Sequence, residues 1–581
     1  MGVARGRARA VSRREFLQRG LIGIGIISLG AACAPTPPAA PAAQPTSAPA
    51  AAPPTSAPAA AQPTTAAKPA ADAKPAAPAA QPTSAPAAAQ AAPAAAKPKG
   101  SITIVLESEP DTILPKDGTT DNAMFMMANV YSALTYRQFD QLGQPPKIVP
   151  HLAESFEQNQ SDPKIWRFKL RQGIKFHNGE TFNADAVVTT INAALNPDKP
   201  GLGLDGWGLR GGSVAKVDDY TVDVTTSAPD AILPNRFAIL GIAAPGWLTS
   251  NPKDGPVETA VGAGPYKLVE YKRASHFLLQ ADENYWGPTK PTIGEVKIVF
   301  RNEPNVRSSM MRAGEVQLAT LVTPEDAKLL QSTFIEQTGE AVGIKINPEH
   351  PLLKDLRVRQ AINMSIDRKT MIDSLYGDVA EHLNGMMVRK SSLGWNPNLQ
   401  EYPYDPEKAK QLMKEAGGVG QSVELISRNN VVPRVTEVIE LVADQVGQTG
   451  LKVGIKSLEI GQWRALNSAV KPGQTRSDLL ITAVSDPVLD SSRALIYYFS
   501  CGGVNSQYCD QPFTDKLTAT LGLTGDARVK GFQELWATAR EANVFMPLYG
   551  LNFVHGITPK LHWNKPRQDL LRLFNEWTLD D

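Results

Sequence analysis

Residues 34–99 are built only from Ala, Pro, Thr, Ser, Gln, Lys and Asp. No aromatic and no branched aliphatic side chain is available there to leave water, so the segment cannot offset the entropy of its own ordering. It reads as a disordered Ala/Pro-rich tether, with the near-repeat Gln-Pro-Thr-Ser-Ala-Pro beginning at Gln44 and again at Gln81. Pro-rich chain of this length runs semi-extended and reaches roughly 50 to 200 Å between the coil and polyproline limits. Thr and Ser beside Pro are also a compositional hint of O-glycans. The tether divides the 581 residues in two, and only residues 100–581 are long enough to bury a sizeable core.

Ahead of the tether, Ser12-Arg13-Arg14-Glu15-Phe16-Leu17 resembles the twin-arginine export motif, with Arg13 and Arg14 as its signal pair. The apolar run Leu21 to Leu29 that follows is shorter than the roughly 18 residues needed to span a bilayer, so it reads as the core of a signal peptide. Leu29-Gly30-Ala31-Ala32-Cys33 resembles a lipobox, whose small residues admit a signal peptidase and whose Cys thiol takes diacylglycerol. It departs from the usual pattern in the placing of Leu and Gly. Residues 1–33 are thus expected to be a lipoprotein signal peptide, with Cys33 as the lipidation site and membrane anchor. A plain signal peptide with an incidental Cys is the other reading. The remaining cysteines, Cys501 and Cys509, lie in a turn-rich segment, and this usage suits an exported protein with one lipid site and one disulfide.

The formal net charge is +1, but the first 99 residues are basic and the body beyond them is mildly acidic. That body has neither the basic footprint of a nucleic-acid binder nor a polybasic membrane surface, so any membrane attachment is expected to be covalent.

Within the body, Trp166-Arg167-Phe168-Lys169-Leu170 alternates apolar and basic residues as a half-buried strand does, and Ile174-Lys175-Phe176 repeats the pattern. His177-Asn178-Gly179 supplies a turn, Asn183 suits a helix N-cap, and Val187, Val188, Ile191 and Leu195 form an apolar stripe that stops before Pro197. Together with its lead-in Leu152-Ala-Glu-Ser-Phe156, this stretch resembles the signature of the family 5 extracellular solute-binding proteins, the peptide- and nickel-binding receptors of ABC importers. Gly262-Ala-Gly-Pro-Tyr-Lys-Leu268 and Asn284-Tyr-Trp-Gly287 are similar to a second hallmark of that family, and Asp355-Leu-Arg-Val-Arg-Gln-Ala-Ile362 to a third. Met311 to Val316 resembles a further family turn, with Gln317 standing where the family has Asp.

The resemblance implies an α/β type II periplasmic-binding-protein fold, with two lobes around a hinged cleft and an extra subdomain in the first lobe. It implies lobe I at 100–345 with the accessory part at about 138–260, lobe II at 346–540, and a return to lobe I at 541–581. Local patterns agree with alternating helices and strands. Ser101 to Leu106 reads as an alternating strand, as does Leu451 to Ile455. Val358, Ile362 and Ile366 form one stripe; Asp367 suits the cap of a helix ending at Gly377. Asp405-Pro406 opens a helix with Ala409, Leu412, Met413 and Ala416 facing in, and residues 435–446 form another.

No G-x-S-x-G, H-E-x-x-H or P-loop occurs, and no catalytic role is expected. Gly201 to Gly206 fits G-x-G-x-x-G by letter, but it neither follows a strand nor opens a helix, and it reads as a surface loop. His177 and Glu180 lie three apart on a turn, a spacing that does not put both on one face, so no metal site or cofactor is expected. The resemblance implies that Cys501 and Cys509 pair beside the cleft. It also implies that Asp486 meets the α-ammonium group of a bound peptide, although Ala483 replaces the family's preceding Trp. Asp486 before Pro487 is equally the residue of a turn.

The expected partners are therefore an oligopeptide or dipeptide cargo, an ABC permease and ATPase, and the membrane through Cys33. No nucleic acid is expected, and the chain is expected to act as a monomer on the outer face of the cytoplasmic membrane. An oligosaccharide or nickel complex is the alternative cargo; a secreted hydrolase and a structural lipoprotein are the alternatives from other classes.

Overall fold

The strand Lys99–Leu106 is the spine of the first of two large sheets, pairing in parallel with Ile293–Phe300 on one side and Leu318–Ala319 on the other. The computed structural model that shows this describes residues 97–580, apart from 119, 142, 199–200, 202–207, 251–256, 429–431, 469–475 and 564–573. Arg13, Arg14, Cys33 and the tether up to residue 96 lie outside the described residues, as does most of the Gly201–Gly206 run. The spine does not alternate as its sequence suggests, because Ile102, Ile104, Val105 and Leu106 are all buried. A central strand paired in parallel on both sides is covered on both faces. Ile102, Ile104 and Leu106 face the main core, whereas Val105 packs with Val316, Val322 and Val554 on the opposite face.

The second sheet is centred on Ala341–Ile346, which pairs antiparallel with both Leu479–Val484 and Phe545–Leu551. Ser422–Arg428 and Lys452–Leu458 extend it in parallel. The last of these is an edge strand, and its expected apolar face is only partly covered: Leu451 is buried and Val453 half-buried against the core, whereas Ile455 is exposed. Around this sheet the expected caps Asp367 and Asp405 are in place, and Asp355 adds one that was not singled out. Asp355 accepts from the Arg357 amide at 2.9 Å, Asp367 from that of Thr370 at 3.0 Å and Asp405 from that of Lys408 at 2.9 Å. The helix after Asp367 ends at Leu375 rather than Gly377, and Gly377 instead opens a short 3-10 turn. Ile366 is buried, but in the link beyond the helix Leu356–Met364.

The chain crosses between the sheets twice. It leaves the first after Glu336 and enters the second at Ala341; it returns through Asn552, between Phe545–Leu551 and Phe553–Ile557. These crossings differ from the boundaries expected at 345 and 541. The strand Ala341–Ile346 already belongs to the second sheet, and Phe545–Leu551 still does. Both crossing strands run on without a break in composition, so nothing in the sequence marks where one sheet ends.

Ala153–Gln158, Ile165–Leu170, Thr221–Thr225 and Ser213–Asp218 form a separate four-stranded antiparallel sheet. Trp166, Phe168 and Leu170 point inward, as their alternation predicts. Ile174-Lys175-Phe176 is not a strand but a turn arm with one bridge from Lys175 to Thr181, although Ile174 and Phe176 are still buried. Asn183 caps Ala184–Leu195 by accepting from the amides of Asp185 and Ala186. That helix seats its smaller face, with Ala184, Ala186, Val187, Thr190, Ile191 and Ala194 buried, and leaves Val188 and Leu195 half-buried. Thr190 is satisfied there by the Ala243 amide at 3.2 Å. The hydrophobic core runs without interruption from this sheet to the spine, so the accessory part shares the first sheet's core. Near the C-terminus Phe574 closes the same core, its amide on the Asn129 side chain at 2.8 Å and its ring edge-on to Phe125 and Tyr266.

Candidate functional site

The two crossing strands are fastened together by polar bonds. The Thr338 hydroxyl donates to the Leu551 carbonyl at 2.6 Å, and the buried Arg389 guanidinium donates to the carbonyls of Thr338 at 2.8 Å and Leu551 at 3.0 Å. Between them Gly339 is a contact point. A Cβ there would lie 2.5 Å from the Asp486 carbonyl oxygen, so only glycine lets the loop 485–490 settle on the crossing.

That loop is gripped from both halves of the molecule. From the first half, Arg137 donates to the Pro487 carbonyl and to the Asn235 side-chain oxygen at 2.7 Å, while Asn235 donates to the Val488 carbonyl at 2.7 Å. From the second half, Ser392 donates to one Asp486 carboxylate oxygen at 2.6 Å, and the Asp490 amide reaches the other at 3.2 Å. Asp490 in turn pairs with the buried Arg528 at 3.1 Å. Asp486 is 1% exposed, and burial pushes its carboxyl up from the ordinary 3.8 to about 6, against the pull of the Ser392 hydroxyl. The structure thus places Asp486 inside the loop as its internal tie. The residue does not line the open space beside it.

The open space is a cavity of about 430 Å³ lined by Arg210 and Arg236 from the accessory region, by Arg493 and Tyr497, and by the loop Cys501 to Val504. Arg493 and Tyr497 share the outer face of the helix Ser492–Phe499, whose inner face buries Ala494, Leu495, Tyr498 and Phe499. The Arg493 guanidinium lies over the Tyr497 ring, 4.7 Å from its centroid, and donates through Nε to the Ser485 carbonyl at 3.1 Å. Arg236 is paired through Nε with Asp230 at 2.8 Å. Cys501 and Cys509 form a disulfide, and the Cys501 amide donates to Thr514 at 2.9 Å, so one cavity wall is pinned covalently and by hydrogen bonding. Glu340, on the crossing, has its carboxyl raised by burial, offset by Ser485 and by the charges of Arg493 and Arg389.

The arginines were not singled out by sequence reasoning. The one available signal was the spacing of Arg493, Ile496 and Tyr497, which sets them on one helix face. His177 holds a turn by contacting the Gly264 carbonyl at 2.9 Å, and burial lowers its pKa. Glu180 faces the Gly246 amide at 2.9 Å, so the two do not form a donor pair. Among the described residues no group of three or more His, Cys, Asp or Glu could hold a metal ion, and no helix is long and apolar enough to cross a membrane. Gln317 replaces the family's Asp by accepting from the Thr103 amide at 2.7 Å, which ties that turn back to the spine.

Two sheets joined by a double crossing, with a cavity between parts of each half, define a binding protein whose halves can close on a solute. The sequence profile of the bacterial extracellular solute-binding proteins, family 5, matches residues 147–506, and the chain belongs to that family. The chain is 27% identical over 437 residues to di/tripeptide-binding protein 2 of Pseudomonas aeruginosa, covering 69% of this chain and 81% of the relative. Its fold matches the periplasmic binding protein DppA of Helicobacter pylori in complex with the peptide STSA, at a TM-score of 0.69 and 20% identity, over 83% of this chain and 98% of that one. It also matches NikA of Brucella suis in complex with Fe(III)-EDTA, at a TM-score of 0.71 and 22% identity, over 83% of this chain and 100% of that one.

Proposed function

We propose that the chain is the solute receptor of an ABC importer and that its cargo is a peptide, from dipeptide to oligopeptide. The observation that carries this reading is the cavity at the crossing, walled by both halves and flanked by the Arg137 and Asn235 bonds to the loop 487–488. Peptide-binding relatives at about 27% identity support the same cargo class. Asp486 serves this function by holding the loop in shape, and its contact with a peptide ammonium group is the alternative that substitution separates. The leader supports export, with lipidation at Cys33 and the tether as a spacer that leaves a monomeric receptor free to reach the permease.

A metal–chelate cargo is the second reading, favoured by the fold match to a receptor holding Fe(III)-EDTA. Thermal-shift and calorimetric titration of the whole chain against di-, tri- and longer peptides, metal chelates and oligosaccharides tests the assignment. Stabilisation by peptides is the expected result. Stabilisation by chelates or sugars alone sinks the peptide reading, and stabilisation by no solute sinks the receptor reading.

A further inference from the structure

A second contact between the halves lies at the surface. Glu325 belongs to the short helix Pro324–Ala327 of the first half, and the Arg434 guanidinium of the second half donates to its carboxylate. Both residues are anchored at the ends of the sheets where the chain crosses. Ahead of Glu325, the Val322 amide donates to the Val554 carbonyl at 2.9 Å, just past the crossing at Asn552, and Thr323 caps the helix by accepting from the Asp326 amide at 3.1 Å. Ahead of Arg434, the Pro433 carbonyl accepts from the Tyr376 hydroxyl at 2.6 Å, which also meets the Tyr549 hydroxyl at 2.7 Å. Tyr549 stands opposite Val342, near the start of the crossing strand, and Val342 faces Ala483, just before the loop 485–490. Val379 of the second half packs on the first-half cluster of Val316, Val322 and Val554, and its carbonyl accepts from the Asn552 amide at 3.0 Å. The ion pair thus joins the same ends of the two sheets that the loop 485–490 joins.

Arg434 holds its place against local preference. Its backbone is left-handed, with φ 56° and ψ 28°, a conformation that strains a residue bearing a side chain. It stands at the N-cap of the helix Val435–Gly447, where a short acceptor such as Ser or Asp would satisfy a free amide, and it makes no such bond. Neither the turn nor the helix requires an arginine there, and what its side chain does is reach the other half. The Glu325 side chain is 62% exposed and that of Arg434 30%, so salt screens this pair far more than it screens the buried contacts of Arg137 and Asn235.

Resting on the receptor reading above, we propose that Glu325 and Arg434 form a salt-sensitive latch that favours the approach of the two halves and slows the release of cargo. An ion pair between the crossing ends of both sheets exists only while the halves are together, so its attraction weights the closed side of the hinge equilibrium alone. Both are positioning residues: neither lines the cavity, and they act on cargo through closure. An exposed pair contributes modestly, which puts the shift in that equilibrium at about two- to fivefold.

Four forms of the whole chain test this: wild type, Glu325→Gln, Arg434→Gly and the charge-reversed double variant Glu325→Arg with Arg434→Glu. Glycine at 434 relieves the left-handed strain, so Arg434→Gly is expected to melt no lower than wild type while losing the latch, which separates latching from folding. The loop 485–490 is gripped from both halves, so its hydrogen exchange without cargo reads opening. Exchange there is expected to be about two- to fivefold faster in each single variant and to return toward wild type in the double variant, while the spine Lys99–Leu106 exchanges alike in all four. High salt brings wild type to the rate of the single variants. The dissociation rate of trialanine, or of Fe(III)-EDTA where the peptide does not bind, is expected to follow the same order, with association little changed. Loop exchange that is equal in all four forms, or that charge reversal does not restore, overturns the latch and leaves the receptor standing. Exchange that follows the pair while cargo dissociation stays constant overturns its action on cargo. Exchange that follows the pair in a chain that binds no solute supports the latch and sinks the receptor reading.

Discussion

Replacing Asp486 by Asn separates a carboxylate that ties a loop from one that meets a ligand. In the folded chain burial raises this carboxyl from 3.8 to about 6, so the folded state holds its proton more tightly than the unfolded chain. The contribution to stability is fully present below about pH 4 and is lost as the pH rises through about 6. Two pH units at about 1.4 kcal/mol each put that loss at about 3 kcal/mol by pH 7. The carboxamide of the Asp486→Asn variant has no proton to exchange, but its single acceptor oxygen serves only one of the two donors, Ser392 and the Asp490 amide. That mismatch costs about 1–2 kcal/mol at every pH. Asp486→Asn is therefore expected to be less stable than wild type at pH 4 and equally or slightly more stable at pH 7. Urea unfolding of both proteins at half-unit steps from pH 4 to 7.5, without cargo, measures the difference curve. A flat difference refutes the reasoning, because it means that the carboxylate is not paying for desolvation in the folded state. A peptide affinity that collapses in the variant with no gain in neutral stability instead makes Asp486 a ligand contact.

Two further substitutions probe the same half of the molecule. Lys345 is buried with its Nζ on the carbonyls of Asn467 and Asn505, and burial, with repulsion from Arg476, lowers its pKa from 10.5 to about 7. The unfolded chain then binds more protons between pH 7 and 10, so wild-type stability should rise relative to Lys345→Met by about 1.4 kcal/mol per pH unit there; parallel stability profiles would contradict it. Gly339→Ala places a Cβ 2.5 Å from the Asp486 carbonyl oxygen, and the forced shift of the loop should cost about 1–3 kcal/mol and weaken cargo binding. A variant that melts and binds like wild type would show that the loop does not rest on the crossing.

What the sequence discloses is what is decided within a few residues. Asn183, Asp355, Asp367 and Asp405 cap helices because a short acceptor meets amides two or three positions on, and this needs no knowledge of the rest of the chain. The same local logic reads Asp486 before Pro487 as a turn residue no less readily than the resemblance reads it as a ligand contact. What depends on placement in the sheets is not legible. Ser101 to Leu106 and Leu451 to Ile455 show similar alternation, yet one became a doubly covered spine and the other an edge that buries Leu451, half-buries Val453 and exposes Ile455. The cavity is the extreme case, since Arg210, Arg236 and Arg493 come from distant segments that no spacing rule connects. The disulfide loop and the family signature locate the neighbourhood; only the fold brings the charges together.

The grip on the loop and the wall of the cavity use different atoms. Arg137 and Asn235 reach across to the main-chain carbonyls of Pro487 and Val488, which every sequence at those positions would present. Both side chains are nearly fully buried, so this latch is shielded from salt and from whatever occupies the cavity. Arg493, half-buried and open to the cavity, sits just past the same loop on the helix Ser492–Phe499 and is tied to it at Ser485. The latch and the cavity wall are thus adjacent on one short segment but use different atoms. A weakened latch is expected to lower the affinity for every cargo by the same factor, which calorimetric titration of an Asn235→Ala variant would measure.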